Sequence, residues 1–86
     1  MVKWISALYG KGMSYPKFRQ VVADNIRDER KKSGLTQEDM ADFGFNVRHY
    51  QDIEAGKIDI GLETLHRIAS AFKISPEFLI RSEKKN

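Results

Sequence analysis

Three glycines, Gly34, Gly44 and Gly56, each close a run whose apolar residues recur at helical spacing, and that punctuation leaves room for little but a bundle of short helices. In the first run, "SYPKFRQVVADNIRDERKKSG", Ser14 is placed to cap, Pro16 sits in the first turn, and Phe18, Val21, Val22 and Ile26 form an apolar stripe. Arg30, Lys31 and Lys32 fall in its last turn, where cations suit the helix dipole. The second run, "LTQEDMADFG", is short; Thr36 and Asp39 are spaced like a capping box, and Met40, Ala41 and Phe43 are apolar. The third, "NVRHYQDIEAGK", takes Asn46 as its cap and sets Tyr50 and Ile53 on one face. After the loop "KIDIG", Leu62, Leu65, Ile68, Ala69 and Phe72 line one stripe of a fourth helix, and Ser75 and Pro76 open a short fifth containing Phe78 and Leu79. No period-two segment of strand length stands out, apart from a short extended candidate around residues 57–60. The expected fold is all-α, a compact bundle of about five helices.

A chain of 86 residues, 41% hydrophobic, supports one small core. The expected organisation is a domain at 15–81, an N-terminal arm or short helix at 1–14, and a frayed tail at 82–86. Trp4, Ile5 and Leu8 fit one turn of an amphipathic helix packing on the domain or on a second subunit, whereas Gly10 and Gly12 fit a flexible arm equally well. Domains of this size lean on packing or on a partner subunit when they lack disulfides, and this one has no cysteine, so a homodimer is expected. The absence of cysteine suits a reducing compartment, with the cytoplasm as the simplest location. No apolar run is long enough for a signal core or a membrane span, so no membrane role is expected.

The formal charge of +3 permits a nucleic-acid partner without demonstrating one. Its distribution says more. Residues 1–34 carry eight Lys/Arg against three acids, residues 35–61 two against six, and residues 62–86 five against three. A nucleic-acid reader built this way would use its first helix for long-range attraction and a few placed groups in the acidic middle for contact.

Two short helices joined by a tight turn, with a long helix before them and others after, is the arrangement that holds a second helix proud of the core and able to enter a DNA groove. Small or apolar residues are needed where the two helices cross, and Ala41 and Ile53 meet that need. The stretches "LTQEDMADFG", "QDIEAGK" and "LETLHRIASAF" resemble the XRE family, the Cro and phage-repressor type of helix-turn-helix protein, over roughly residues 18–80. The specific parts are Leu35-Thr36-Gln37-Glu38, Ala41, the turn from Ile53 and Glu54 to Gly56-Lys57, and Leu62-Glu63-Thr64-Leu65 leading into Ile68-Ala69.

That resemblance implies a lambda-repressor-like fold and a set of roles. Gln37 would bond a DNA phosphate; otherwise it is an ordinary first-turn residue. Asn46, Val47, Arg48 and His49 stand where such proteins reach bases, with Gln51 or Asp52 one turn later. Arg48 is the leading candidate, because an arginine fork can take guanine O6 and N7 together and discriminate by about 1–3 kcal/mol. Its alternatives are a phosphate contact or a solvated side chain. His49 suits a phosphate, a base acceptor or a plain surface position, and Val47 suits a thymine methyl group or packing against the preceding helix. Glu54 resembles the family's glutamate that pairs with an arginine of the first helix, here Arg30, as a structural ion pair. Lys57 looks like the phosphate-contacting lysine, and Arg30, Lys31 and Lys32 could add to a positive rim.

The chain departs from the family pattern in two places. From Ala41 to Ile53 it is one residue short of the usual spacing, with the loss around "DFGF", so the second helix or its turn must be shortened. Phe43 and Phe45 are expected to wedge the two helices at an altered angle, shifting base-contact assignments by up to one position. The "KIDIGLETL" loop also has Ile60 where a proline is common.

Enzymatic readings find no support. His49 and His66 have no ligand-like spacing, Glu38, Asp39 and Asp42 lie where a capped helix wants negative charge, and no glycine-rich phosphate loop occurs. No catalytic residue, metal or cofactor is assigned. The expected function is a sequence-specific, DNA-binding transcriptional regulator that places the helix near residues 46–55 in the major groove of double-stranded DNA, as a homodimer on a palindromic operator. The dimer would form through the fourth and fifth helices, since Phe72, Ile74, Phe78, Leu79 and Ile80 exceed what a small core needs. The alternative is an antitoxin-like module whose acidic face docks a protein partner.

Overall fold

Three of the helical segments begin where the sequence supplies a side-chain cap. In the computed structural model, which describes residues 13–82, α1 spans Tyr15–Lys32 and opens with the Ser14 hydroxyl accepting from the Lys17 amide at 3.3 Å. A 3-10 helix follows at Glu38–Phe43. Its start is a reciprocal capping box: the Asp39 amide donates to Thr36 Oγ1 at 3.0 Å and the Thr36 amide donates to Asp39 Oδ2 at 2.8 Å. Next comes α2 at Val47–Glu54, capped by Asn46 Oδ1, which accepts from the His49 amide at 2.9 Å. The bundle is completed by α3 at Leu62–Phe72 and α4 at Glu77–Ile80. Among the described residues there is no strand; the extended candidate at 57–60 is a bent loop whose Ile58 and Ile60 lean on the core. The expected N-terminal arm or helix around Trp4 to Leu8 and the tail beyond residue 82 lie outside the described residues.

The core gathers Ile26 of α1, Met40 of the 3-10 helix, Tyr50 and Ile53 of α2, Leu65, Ile68, Ala69 and Phe72 of α3, and Leu79 of α4. The last helix is too short to hold itself in place. Buried Asn25 fixes it, donating from Nδ2 to the Leu79 carbonyl at 3.2 Å and to the Arg81 carbonyl at 2.7 Å, so α4 is tied to the middle of α1.

Several apolar residues sit elsewhere than their spacing predicts. Ala41 is exposed and Met40 takes its place at the crossing with α2. Adjacent residues of the 3-10 helix point in directions about 120° apart, so only one of the two can face the core, and it is Met40. Of the two expected wedges, Phe45 is buried and packs edge-on against Tyr50 at 5.8 Å between ring centroids, whereas Phe43 is exposed. Leu62, in the first turn of α3, is 85% exposed and overhangs the edge of the core. It borders a groove of about 170 Å³ together with Tyr15, Phe18, Val22, Ile60 and Ile80, which explains why Phe18 also stays exposed. Phe72 and Leu79, counted as surplus to the core, are buried in it; Phe78 and Ile80 remain outside.

Candidate nucleic-acid interface

The polar residues between Asn46 and Asp52 fall on the side of α2 that the core does not use. Tyr50, Ile53 and Glu54 are its buried face. Opposite them, the Arg48 side chain is 83% exposed and loosely paired with Asp52 at 3.9 Å, while His49 and Asn46 are exposed and Val47, Gln51 and Asp52 half-buried. Asn46 uses its carbonyl oxygen as the cap, which leaves its amide hydrogens pointing outward for another acceptor. Lys57 follows directly: its amide donates to the Asp52 carbonyl at 3.1 Å, and its side chain is exposed.

An amphipathic helix of eight residues is too short to be stable alone, so its pose depends on what grips the buried side. The grip is ionic. Arg30 Nε donates to Glu54 Oε2 at 2.6 Å and Nη2 to Oε1 at 3.1 Å, and Nη1 donates to the Leu35 carbonyl at 2.7 Å. Gln37 Nε2 donates to the same Glu54 Oε1 at 2.9 Å, so one side chain from each of α1 and the 3-10 helix approach converges on the end of α2. Burial alone would push the Glu54 carboxyl up; the bonds from Arg30 and Gln37, the nearby Tyr50 hydroxyl and the Arg30 charge outweigh it and hold the group below the usual carboxylate range. The Tyr50 hydroxyl is buried without a well-formed hydrogen bond, and its pKa is driven far up, first by burial and then by the adjacent Glu54. Arg30 and Glu54 thus form the buried ion pair that the resemblance implies. Arg30 is consequently removed from any positive rim, to which only exposed Lys31 and Lys32 of that trio remain.

At the other end of α2 the turn is tight. The 3-10 helix closes at Gly44, whose φ of +88° is left-handed, and the chain turns straight into Phe45 and the Asn46 cap. Arg67, from α3, lies over this turn: its guanidinium stacks on the Phe45 ring at 4.4 Å and Nη2 reaches the Gly44 carbonyl at 3.3 Å and the Phe43 carbonyl at 3.5 Å. Sequence reasoning missed Arg67, because a lone arginine on the polar side of a helix carries no signal of what it covers. It missed equally the tie of the loop after Lys57 to α1, where Asp59 Oδ1 accepts from Tyr15 Oη at 2.7 Å and from Arg19 Nη1 at 3.0 Å. The bond from Tyr15, then that from Arg19, keeps the Asp59 carboxyl low, and the same bond raises the Tyr15 phenol.

Two helical segments crossing over a glycine turn, the second with one anchored face and one open polar face, define a helix-turn-helix module. A family model described as helix-turn-helix matches residues 26–79, and the chain belongs to that family, of the XRE and lambda-repressor type. This is a DNA-binding family rather than an enzymatic one. A search of curated proteins returns no match. Among the described residues no helix is long and apolar enough to cross a membrane.

Proposed function

We propose that this DNA-binding regulator of the XRE type is sequence-specific and works as a homodimer, with α2 entering the major groove at each half of a palindromic operator. The observation that carries the reading is the two-sidedness of α2. Its inner face is fixed by Tyr50, Ile53 and the Glu54 ion pair, and its outer face presents Arg48 with 83% of its side chain exposed and nothing but a long contact to Asp52. In the complex Arg48 reads a guanine through O6 and N7, with Asn46, Val47 and His49 before and beside it and Gln51 or Asp52 one turn later. Gln37 keeps a second amide hydrogen beyond its bond to Glu54, and this and the Lys57 ammonium take phosphates on either side.

The dimer is proposed through α3 and α4, where Leu62, Phe78 and Ile80 are the exposed apolar residues. Two copies would then set α2 in successive major grooves about 10 base pairs apart. Selection from random duplexes tests the whole reading, since recovery of a palindrome with that spacing reports specificity and symmetry together. Recovery of no preferred sequence rejects it. The alternative, a module that docks a protein partner, draws on exposed Glu38 and Asp42 beside the recognition helix. Salt separates the two: DNA affinity falls steeply as salt rises, because each neutralised phosphate releases counterions.

A further inference from the structure

We infer that Arg67 is a positioning residue that sets the angle of α2 by clasping the short turn that precedes it. The inference deepens the DNA-reading function and rests on it for its consequence at the bases; its claim about the pose of α2 stands on geometry alone.

A turn between two helices is normally held by its own length and packing. Here the first helix of the motif is wound as a 3-10 helix, with poorer hydrogen-bond geometry, and it ends at left-handed Gly44 with only Phe45 between the turn and the Asn46 cap. Phe45 is the sole buried side chain in the stretch 41–46, so the entry angle of α2 depends on where this ring sits. The ring has Tyr50 against one edge and the Arg67 guanidinium over its face at 4.4 Å. The same guanidinium reaches the carbonyls of Phe43 and Gly44, the unsatisfied C-terminal acceptors of the 3-10 helix. A Cβ at position 44 would lie 3.2 Å from Arg67 Nη2, close enough that the guanidinium would have to give by a few tenths of an ångström. A planar cation that stacks on the wedge and caps the preceding helix thus ties α3 to the start of α2, three residues before Tyr50 and one before Arg48. A lysine would supply charge without the plane.

Two measurements on the full chain test this. In the free protein, amide hydrogen exchange at Phe45, His49 and Tyr50, whose amides are bonded across the turn and within the first turn of α2, is expected to quicken in Arg67→Ala while the amides of α1 keep their rates. In selection from random duplexes, Arg67→Ala and Arg67→Lys are both expected to blur the base read by Arg48, by about tenfold in preference, with the salt slope of binding unchanged. Arg67 is exposed, so the melting midpoint should move little; Phe45→Leu, which keeps an apolar wedge but removes the ring, is expected to give the same blurring, and the double variant no more than either single one. Uniform weakening for all sequences, with a slope smaller by about one and rescue by lysine, would make Arg67 a phosphate contact and overturn the inference. Unchanged exchange at Phe45, His49 and Tyr50 overturns it too. If the unsubstituted chain selects no duplex, the DNA reading fails, and the exchange rates by themselves uphold or reject the positioning role.

Discussion

Arg30 and Glu54 face each other as a two-pronged pair, 2.6 Å from Nε to Oε2 and 3.1 Å from Nη2 to Oε1, with their side chains only 9% and 3% exposed. They join the last turn of α1 to the last residue of α2, so the same contact that closes the fold fixes the far end of α2. Removing one member strands the other in the interior. Glu54→Ala is therefore expected to cost about 3–5 kcal/mol in chemical denaturation, against ~0–1 kcal/mol for breaking the open Arg19–Asp59 pair. Replacing both members with Met and Leu should recover most of that loss, because no charge is then left unpaired; a double variant as unstable as Glu54→Ala would contradict the account.

The pair also sets the acid limit. The folded-state pKa of Glu54 lies below its ordinary value, so the unfolded chain binds this proton more readily, and the group stabilises the fold at pH above its unfolded value near 4.3. That contribution fades as pH falls from about 4.3 through the lower folded pKa. Glu54→Gln, which carries no titrating group, should flatten the decline of stability with acid over that window. An unchanged slope would place the acid sensitivity elsewhere, with Asp59 the next carboxylate held low.

Much of this arrangement is legible in the chain because it is made by local rules. Ser14, Thr36 with Asp39, and Asn46 cap the helices they precede, and Ile26, Ile53, Leu65 and Ile68 are buried as their spacing demands. The Arg30–Glu54 pair came from family resemblance, since nothing in a spacing of 24 residues announces a contact. What stayed hidden depends on winding and on distant chain. That Met40 rather than Ala41 faces inward depends on how the 3-10 helix is rotated against α2, which residue types alone do not specify. The covering of Phe45 by Arg67, and the binding of Asp59 by Tyr15 and Arg19, join positions 22 to 44 residues apart through surface side chains that carry no periodic signal.

Two left-handed positions should respond in opposite directions. At Gly44 any side chain adds the strain of a positive φ and crowds Arg67, so Gly44→Ala is expected to cost roughly 1–2 kcal/mol. Lys73 caps α3 at φ +59° with its side chain in place and already bears that strain. Lys73→Gly should raise stability by roughly 1 kcal/mol or less, the relief being partly offset by the greater freedom of glycine in the unfolded chain. Thermal melts of the two variants shifting the same way would refute this.

Arg48 and Lys57 should fail in different ways when truncated, and the difference separates base reading from backbone attraction. Arg48 stands on the open face of α2 in the first turn, where a fork can reach a base edge, while Lys57 lies beyond the helix end with its amide held by the Asp52 carbonyl. A base contact carries sequence information and a phosphate contact does not. Arg48→Ala is thus expected to lower affinity for the preferred site by about 1–3 kcal/mol while leaving binding to unrelated duplexes nearly as it was, so the ratio between them collapses at one position. Lys57→Ala should weaken both alike and reduce the salt slope by about one, leaving the ratio intact. Neither change touches the core, so circular dichroism and melting should match the unsubstituted chain and exclude misfolding as the cause. The reverse pattern, with Arg48 uniform and Lys57 selective, would mean that α2 approaches DNA by its far end and that its first turn lies on the backbone.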